Sequence, residues 1–212
     1  ITAGAGSDTI SGGSGADTFV LTATDTGTDT ITDFGLGADT ISGAYTAAGI
    51  LSITIDSSST TALDLSTILA SAGTANVTGG TANDTITGGA GNDVIDGGSG
   101  ADSIVGGAGS DSITGGLGND TLTGGSGADT FVITAADTGT DTITDWNYGG
   151  VQDLISTAYS AAGTLKITIS DSSTSSLTCN LSTVLATSGV ASITGSTGAD
   201  SITGGAGNDT IL

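Results

Sequence analysis

Proline, methionine, histidine and glutamate are absent from this 212-residue chain, which has one basic residue, Lys166, one thiol, Cys179, and only 3% aromatic residues. Each shortage excludes something. Without histidine, glutamate or a partner for the lone cysteine, and with Ser and Thr lacking a basic neighbour, no acid, base or activated nucleophile is on offer, and no enzyme is expected. The same shortages argue against zinc, whose sites are built from His and Cys. One cysteine cannot form a disulfide framework; Cys179 reads as a small buried hydrophobe, with an intermolecular bridge as the alternative. A net charge of −21 gives no basic footprint for nucleic acid and no attraction to anionic lipid. No apolar run approaches the roughly 18 residues of a membrane helix, so direct membrane insertion is not expected. No basic segment followed by an apolar one marks a secretory signal peptide.

What the chain does contain is glycine, 38 residues, and acid, 22 residues, all of it aspartate. Aspartate is the shorter acid and suits tight turns, so its exclusive use points to ligands more than to solubility. The apolar residues are mostly small or β-branched, too little for a large core, and low aromatic content with high charge would by itself predict disorder. A bound cation must then supply part of the folding energy.

From Gly79 to Val132 the sequence runs as six nonapeptides, GGTANDTIT, GGAGNDVID, GGSGADSIV, GGAGSDSIT, GGLGNDTLT and GGSGADTFV. Each has Asp at its sixth position (Asp84, Asp93, Asp102, Asp111, Asp120, Asp129) and a large apolar residue at its eighth (Ile86, Ile95, Ile104, Ile113, Leu122, Phe131). Paired glycines supply positive φ angles, so the first six residues read as a turn. The last three alternate polar and apolar and suit a short strand with one side chain inward. A flexible Gly/Asp linker would not hold an apolar residue at a fixed phase. Stacking such coils at the strand spacing of about 4.8 Å lines up carboxylates along each edge. Two carboxylates about 4 Å apart repel by about 1 kcal/mol in water and about 4 kcal/mol when partly buried, so a cation must lie between them. Calcium fits best, accepting six to eight oxygens in loose geometry where magnesium demands a tight octahedron.

These rows resemble the repeats-in-toxin (RTX) family of secreted bacterial proteins, departing only at Ala82, where the fourth-position glycine is expected. The pattern is that of calcium-binding parallel β-helices. The resemblance implies an all-β fold, a right-handed parallel β-roll in which two rows make one coil of about 18 residues, with short β-rich flanking modules between the blocks of rows. It also implies several calcium ions held between the turns of successive coils, Asp93 sharing a site with Asp111 and Asp102 with Asp120. Backbone carbonyls join them, near the first and third positions of one row and the second and fourth of the row two further on. Carried over to this chain, those positions are Gly88, Gly89, Ala90 and Gly91, then Gly97, Gly98, Ser99 and Gly100, then Gly106, Gly107, Ala108 and Gly109, and finally Gly115, Gly116 and Gly118.

Taken in order, residues 1–20 hold two further rows, with Asp8 and Asp17 at the ligand position; 21–78 form a flanking module; 79–132 are the central block; 133–194 repeat the flank; and 195–212 end the chain with two rows carrying Asp200 and Asp209. In the first flank, Asp29, Asp33 and Asp39 surround Ile31 and Phe34, either as further calcium sites closing the roll or as a polar edge strand. Leu51 to Asp56 alternates like a strand, Ser57 to Thr61 reads as a turn, and Leu63 to Ala70 fits a strand or a short helix. The second flank copies the first: DTGTDTITDW at 137–146 repeats DTGTDTITDF at 25–34, YSAAG repeats YTAAG, and NLSTVL repeats DLSTIL. Asp141, Asp145 and Asp153 thereby take the places of Asp29, Asp33 and Asp39, and Trp146 replaces Phe34, which favours a packing role. Cys179 aligns with Leu63, and Lys166 reads as a solubilising edge charge.

The expected protein is calcium-binding, structural and extracellular, largely unfolded where calcium is scarce. At millimolar calcium each site of 10⁻⁴ to 10⁻³ M affinity adds about 0.4 to 1.4 kcal/mol. Terminal rows stacking on the rows of another copy would make a head-to-tail homopolymer, a bacterial surface layer or filament, with a cell-surface polysaccharide as a candidate anchor. The alternatives are the type I secretion and folding module of an exported toxin or hydrolase, and a calcium-dependent adhesin repeat.

Overall fold

A computed structural model describes residues 1–22, 26–43, 49–56, 58, 60–70, 73–134, 136–137, 139–146, 152–155, 164–169, 178–181, 190–195 and 200–212, without the side chains of 165–169. Among these residues there are strands and turns and no helix. Rows of three or four alternating Thr, Ser, Ile and Val are long enough for one short strand, and the glycines on either side end it.

The strands lie on two faces. One parallel sheet takes, in spatial order, β1 (Thr9–Ile10), β3 (Thr28–Phe34), β5 (Ile50–Ile55), β7 (Thr74–Thr78), β9 (Val94–Asp96), β11 (Ser112–Thr114), β13 (Thr130–Val132) and β15 (Leu154–Ile155). The other takes β6 (Ala62–Asp64), β8 (Thr85–Gly89), β10 (Ser103–Ala108), β12 (Thr121–Ser126), β14 (Thr140–Trp146), β16 (Thr164–Ile169), β18 (Val190–Thr194) and β20 (Thr210–Ile211). Two parallel pairs, β2 (Thr18–Val20) with β4 (Thr40–Ser42) and β17 (Thr178–Asn180) with β19 (Ser201–Thr203), complete the set. Consecutive strands thus alternate between faces while each pairs with the strand two further on, which is a parallel β-solenoid, the β-roll expected from the nonapeptides.

In the central block the register is eighteen residues, Ile104 opposite Leu122 and Ile113 opposite Phe131. In the flanks the coil lengthens: Thr9 faces Thr30, Ile50 faces Thr74, and Thr164 faces Val190. The sheets nevertheless run through without interruption, β7 pairing with β9 and β6 with β8 where the first flank meets the central rows. Eighth-position side chains stack into two inward columns, Ile86, Ile104, Leu122 and Ile143 from one sheet and Ile95, Ile113, Phe131 and Ile155 from the other, all buried. Trp146 and Phe34 are buried in equivalent places, their rings 6.1 Å from Phe131 and 6.2 Å from Phe19.

Several local expectations are decided by the packing. The strand at Leu51 to Ile55 forms as expected. Of the strand and helix open for Leu63 to Ala70, the chain takes a strand to Asp64 and then a tight turn in which Ile68 N and Leu69 N both donate to Leu65 O. Leu63, Leu65, Ile68 and Leu69 are buried by it. Strand β3 lies inside its sheet, between β1 and β5, so the flank is no polar edge. Lys166 is corrected for the same reason: β16 has β14 on one side and β18 on the other and is not an edge strand. Cys179 is buried and free, as a small hydrophobe should be. The Tyr-containing repeats at 45–48 and 159–163, positions 57 and 59 of the Ser/Thr run, and 182–185 of the NLSTVL repeat lie outside the described residues.

Candidate metal centre

Each row brings its aspartate to the edge of the coil because the glycine turn reverses the chain just before the strand. Two of the three glycines have positive φ, as at Gly98 (94°) and Gly100 (129°). The first glycine is needed for space: a Cβ on Gly97 would lie 2.6 Å from both Asp102 Oδ2 and Gly115 O. Rows alternate between faces, so Asp84, Asp102 and Asp120 share one edge and Asp93, Asp111 and Asp129 the other.

One carboxylate oxygen of each aspartate stitches neighbouring coils. Asp102 Oδ1 accepts the main-chain N–H of Asp84 (2.7 Å), Asp111 Oδ1 that of Asp93 (2.8 Å), Asp120 Oδ1 that of Asp102 (2.9 Å) and Asp129 Oδ1 that of Asp111 (2.9 Å). The flanks continue both ladders, from Asp8 N to Asp29, Asp17 N to Asp39, Asp120 N to Asp141 and Asp129 N to Asp153. Thr61 N and Ala75 N donate to Asp84 and Asp93, and Ala191 N to Asp209.

The second oxygen decides whether a cation fits. In Asp102, Asp111, Asp120 and Asp129 it is buried and accepts no hydrogen bond. A buried anionic oxygen left without a donor is costly. Each of these oxygens points at the turn of its own row, where a Cβ on Gly97, Gly106, Gly115 or Gly124 would strike it. At Gly97 and Gly106 the carbonyl of the first glycine one coil further on, Gly115 O or Gly124 O, converges on the same space. Carboxylate and carbonyl oxygens with no nitrogen or sulfur among them are the donor set of a hard cation, and the residues fit calcium. Bound there, such an ion would neutralise the paired carboxylates and take up the lone pairs that lack donors.

The charge state of the metal-free coil carries the same message. Burial, opposed by the Asp84 N–H and reinforced by Asp120 and Asp84, pushes the Asp102 carboxyl up to about 7. Burial likewise pushes Asp111 up to about 7, with Asp93 and Asp129 adding repulsion. Asp93, Asp120, Asp129 and Asp145 are raised by burial too.

The other candidate residues divide into groups. Asp8, Asp39, Asp84 and Asp93 use the second oxygen to accept a turn N–H, from Gly4, Gly35, Gly80 and Gly89 respectively. Asp33 and Asp145 do not join the ladders. Asp33 accepts from Gly12 N, Gly13 N and Ser11 Oγ, and Asp145 from Gly124 N and Gly125 N, at 2.6 to 3.0 Å. Inside the block the first glycine donates instead to a carbonyl of the next coil, Gly97 N to Thr114 O. Both aspartates therefore cap the glycine pair where the following coil departs from the consensus. Burial opposes ionisation of Asp33, but the Ser11, Gly13 and Gly12 donors outweigh it and hold its carboxyl below the usual value. Asp200 lies just before β19, a row whose residues 196–199 are not described. The carbonyl-bearing residues from Gly88 to Gly118 form the stacked turns. Gly98 O already accepts Leu117 N, and the fourth-position glycines stack so closely that a Cβ on Gly118 would run into Gly100 O.

One buried acid, Asp137, belongs to no sequence-based candidate set. The signal was a row resuming three residues late. With Asp141 over Asp120 and Ile143 over Leu122, Gly139 falls at the fourth position and Asp137 at the second, where the central rows carry glycine.

A family model described as the RTX calcium-binding nonapeptide repeat matches the chain in four copies, at residues 1–23, 69–104, 96–131 and 185–212. No curated protein and no solved structure matches it.

Proposed function

The chain belongs to the RTX calcium-binding nonapeptide repeat family, and from that premise we propose that it is an extracellular structural protein, folded by several calcium ions and assembled head to tail into a bacterial surface layer or filament. The observation that carries the calcium part is the set of buried aspartate oxygens without donors along both edges of the roll. Where divalent calcium is millimolar, outside the cell, those oxygens have a ligand; where it is scarce, they oppose folding.

The assembly part is supported by the way the duplicated unit stacks within one chain. The first flank hands over to the central rows through β7 to β9 and β6 to β8, and the second flank to the final rows through β18 to β20 and β17 to β19. A surface that accepts the next unit inside a molecule has the chemistry to accept a unit of another copy, since each coil of a solenoid touches only its neighbours. A heterologous contact of that kind propagates. No catalytic role is proposed, because a chain without His or Glu and with Cys179 buried lacks the groups for one.

Electron microscopy of the purified protein in millimolar calcium and in chelator tests the assembly. Ordered polymers that appear with calcium and disperse in chelator are expected. Monomers under both conditions would remove the polymer and leave the secretion-module alternative.

A further inference from the structure

At the junction of the central rows and the second flank, the turn before β14 replaces the consensus second glycine with Asp137. Its Oδ1 is fixed by the N–H groups of Gly139 (2.9 Å) and Gly118 (3.2 Å), while its Oδ2 is buried without a donor. The Oδ2 of Asp120 is in the same condition, and Asp141 faces both: one oxygen from each of the three lies within 4.8 Å of the others. All three residues are at least 97% buried, and no basic side chain is among those described. The arrangement is held from behind by the main chain, Asp102 N on Asp120 Oδ1 and Asp120 N on Asp141 Oδ1.

We propose that Asp120, Asp137 and Asp141 hold one calcium ion in a three-carboxylate site that fills before the two-aspartate sites of the central rows. The inference rests on the calcium reading above and adds a ligand that the nonapeptide pattern does not contain. Two carboxylates neutralise a divalent ion; a third leaves the site with an excess negative charge that only a cation can relieve. Ligand charge count and rigidity are what set calcium affinity among oxygen sites, and here both exceed those of an ordinary row. The roll then orders first at this junction and proceeds through the remaining coils, each built on its neighbour. By sequence Asp25 holds the same place in the first flank.

Calorimetric calcium titration of the full chain tests the site, using wild type, Asp137→Asn, Asp137→Gly and, as a control at an exposed position outside the ladders, Asp64→Asn. Asp137→Gly installs the residue that the central rows carry and is expected to fold in saturating calcium, which circular dichroism checks. Wild type and Asp64→Asn are expected to show a first calcium at least tenfold tighter than the rest, lost in both Asp137 variants while the weaker sites remain. A first calcium bound equally tightly by the Asp137 variants, or uniform affinities in wild type, overturns the three-carboxylate site and leaves the calcium roll standing. A wild type that binds no calcium overturns both.

Discussion

An aspartate in this protein has two oxygens with different tasks. Oδ1 of Asp111 is spent on the backbone of the neighbouring coil, and Oδ2 is buried beside the glycine turn with nothing to accept. The pH behaviour follows. In the unfolded chain these carboxyls titrate near 3.8, whereas in the metal-free roll burial pushes Asp102 and Asp111 up to about 7. A folded-state value above the unfolded one means the fold binds the proton more tightly. Their contribution to the metal-free roll is therefore fully present below about pH 4 and is lost as pH rises through about 7. Far-ultraviolet circular dichroism in metal-free buffer is expected to show most strand signal at pH 4 and a decline with a midpoint near 7. A midpoint near 4 would show that the buried carboxyls do not govern it. With calcium the direction reverses, because ion and proton compete for the same oxygens, and apparent calcium affinity rises with pH through 7.

At the scale of the element, one row is a turn and a three-residue strand that exposes one side chain and buries the next. Val94 is 52% exposed and Ile95, its neighbour, 0%. Ile113 stands in the middle of its column, between Ile95 and Phe131. Ile113→Ala is expected to cost about 2 to 5 kcal/mol in urea unfolding at saturating calcium, since the coils on both sides hold the cavity open. Val94→Ala should stay within about 0.5 kcal/mol. Equal effects would mean that the column is not a packed core. The row also explains the part of the flanks that was hard to read. Residues 136–144, and 34–42 in the first copy, carry Asp and the apolar residue in the right phase, but with Asp137 or Phe34 where glycine is expected and with added residues before or after. A nine-residue periodicity loses them there.

At the scale of the molecule, twenty short strands among the described residues share two faces, and none has enough contacts within its own row to persist alone. Most pairings connect residues eighteen or more positions apart, so strands, core columns and carboxylate ladders form together. Cys179 reports on this. It is fully buried, opposite Ile202, and burial pushes its thiol up to about 11. In calcium it is expected to resist a thiol reagent, and in chelator at neutral pH to react within the time of an unstructured cysteine. Rapid labelling in both conditions would mean that calcium does not order the second half of the roll.

The sequence alone determined the coil: six rows in unbroken register fix the strand period, the inward residue and the edge on which each Asp lies, because a nine-residue repeat of glycine turns admits one phase. The tertiary structure decided what depends on contact between coils eighteen to twenty-six residues apart. It made β3 and β16 interior strands, turned Leu65 to Leu69 back onto the core, gave Asp33 and Asp145 to the glycine N–H groups and brought Asp137 to Asp120 and Asp141. Nothing local to those residues specifies such partners; they are supplied by the coil that happens to stack against them.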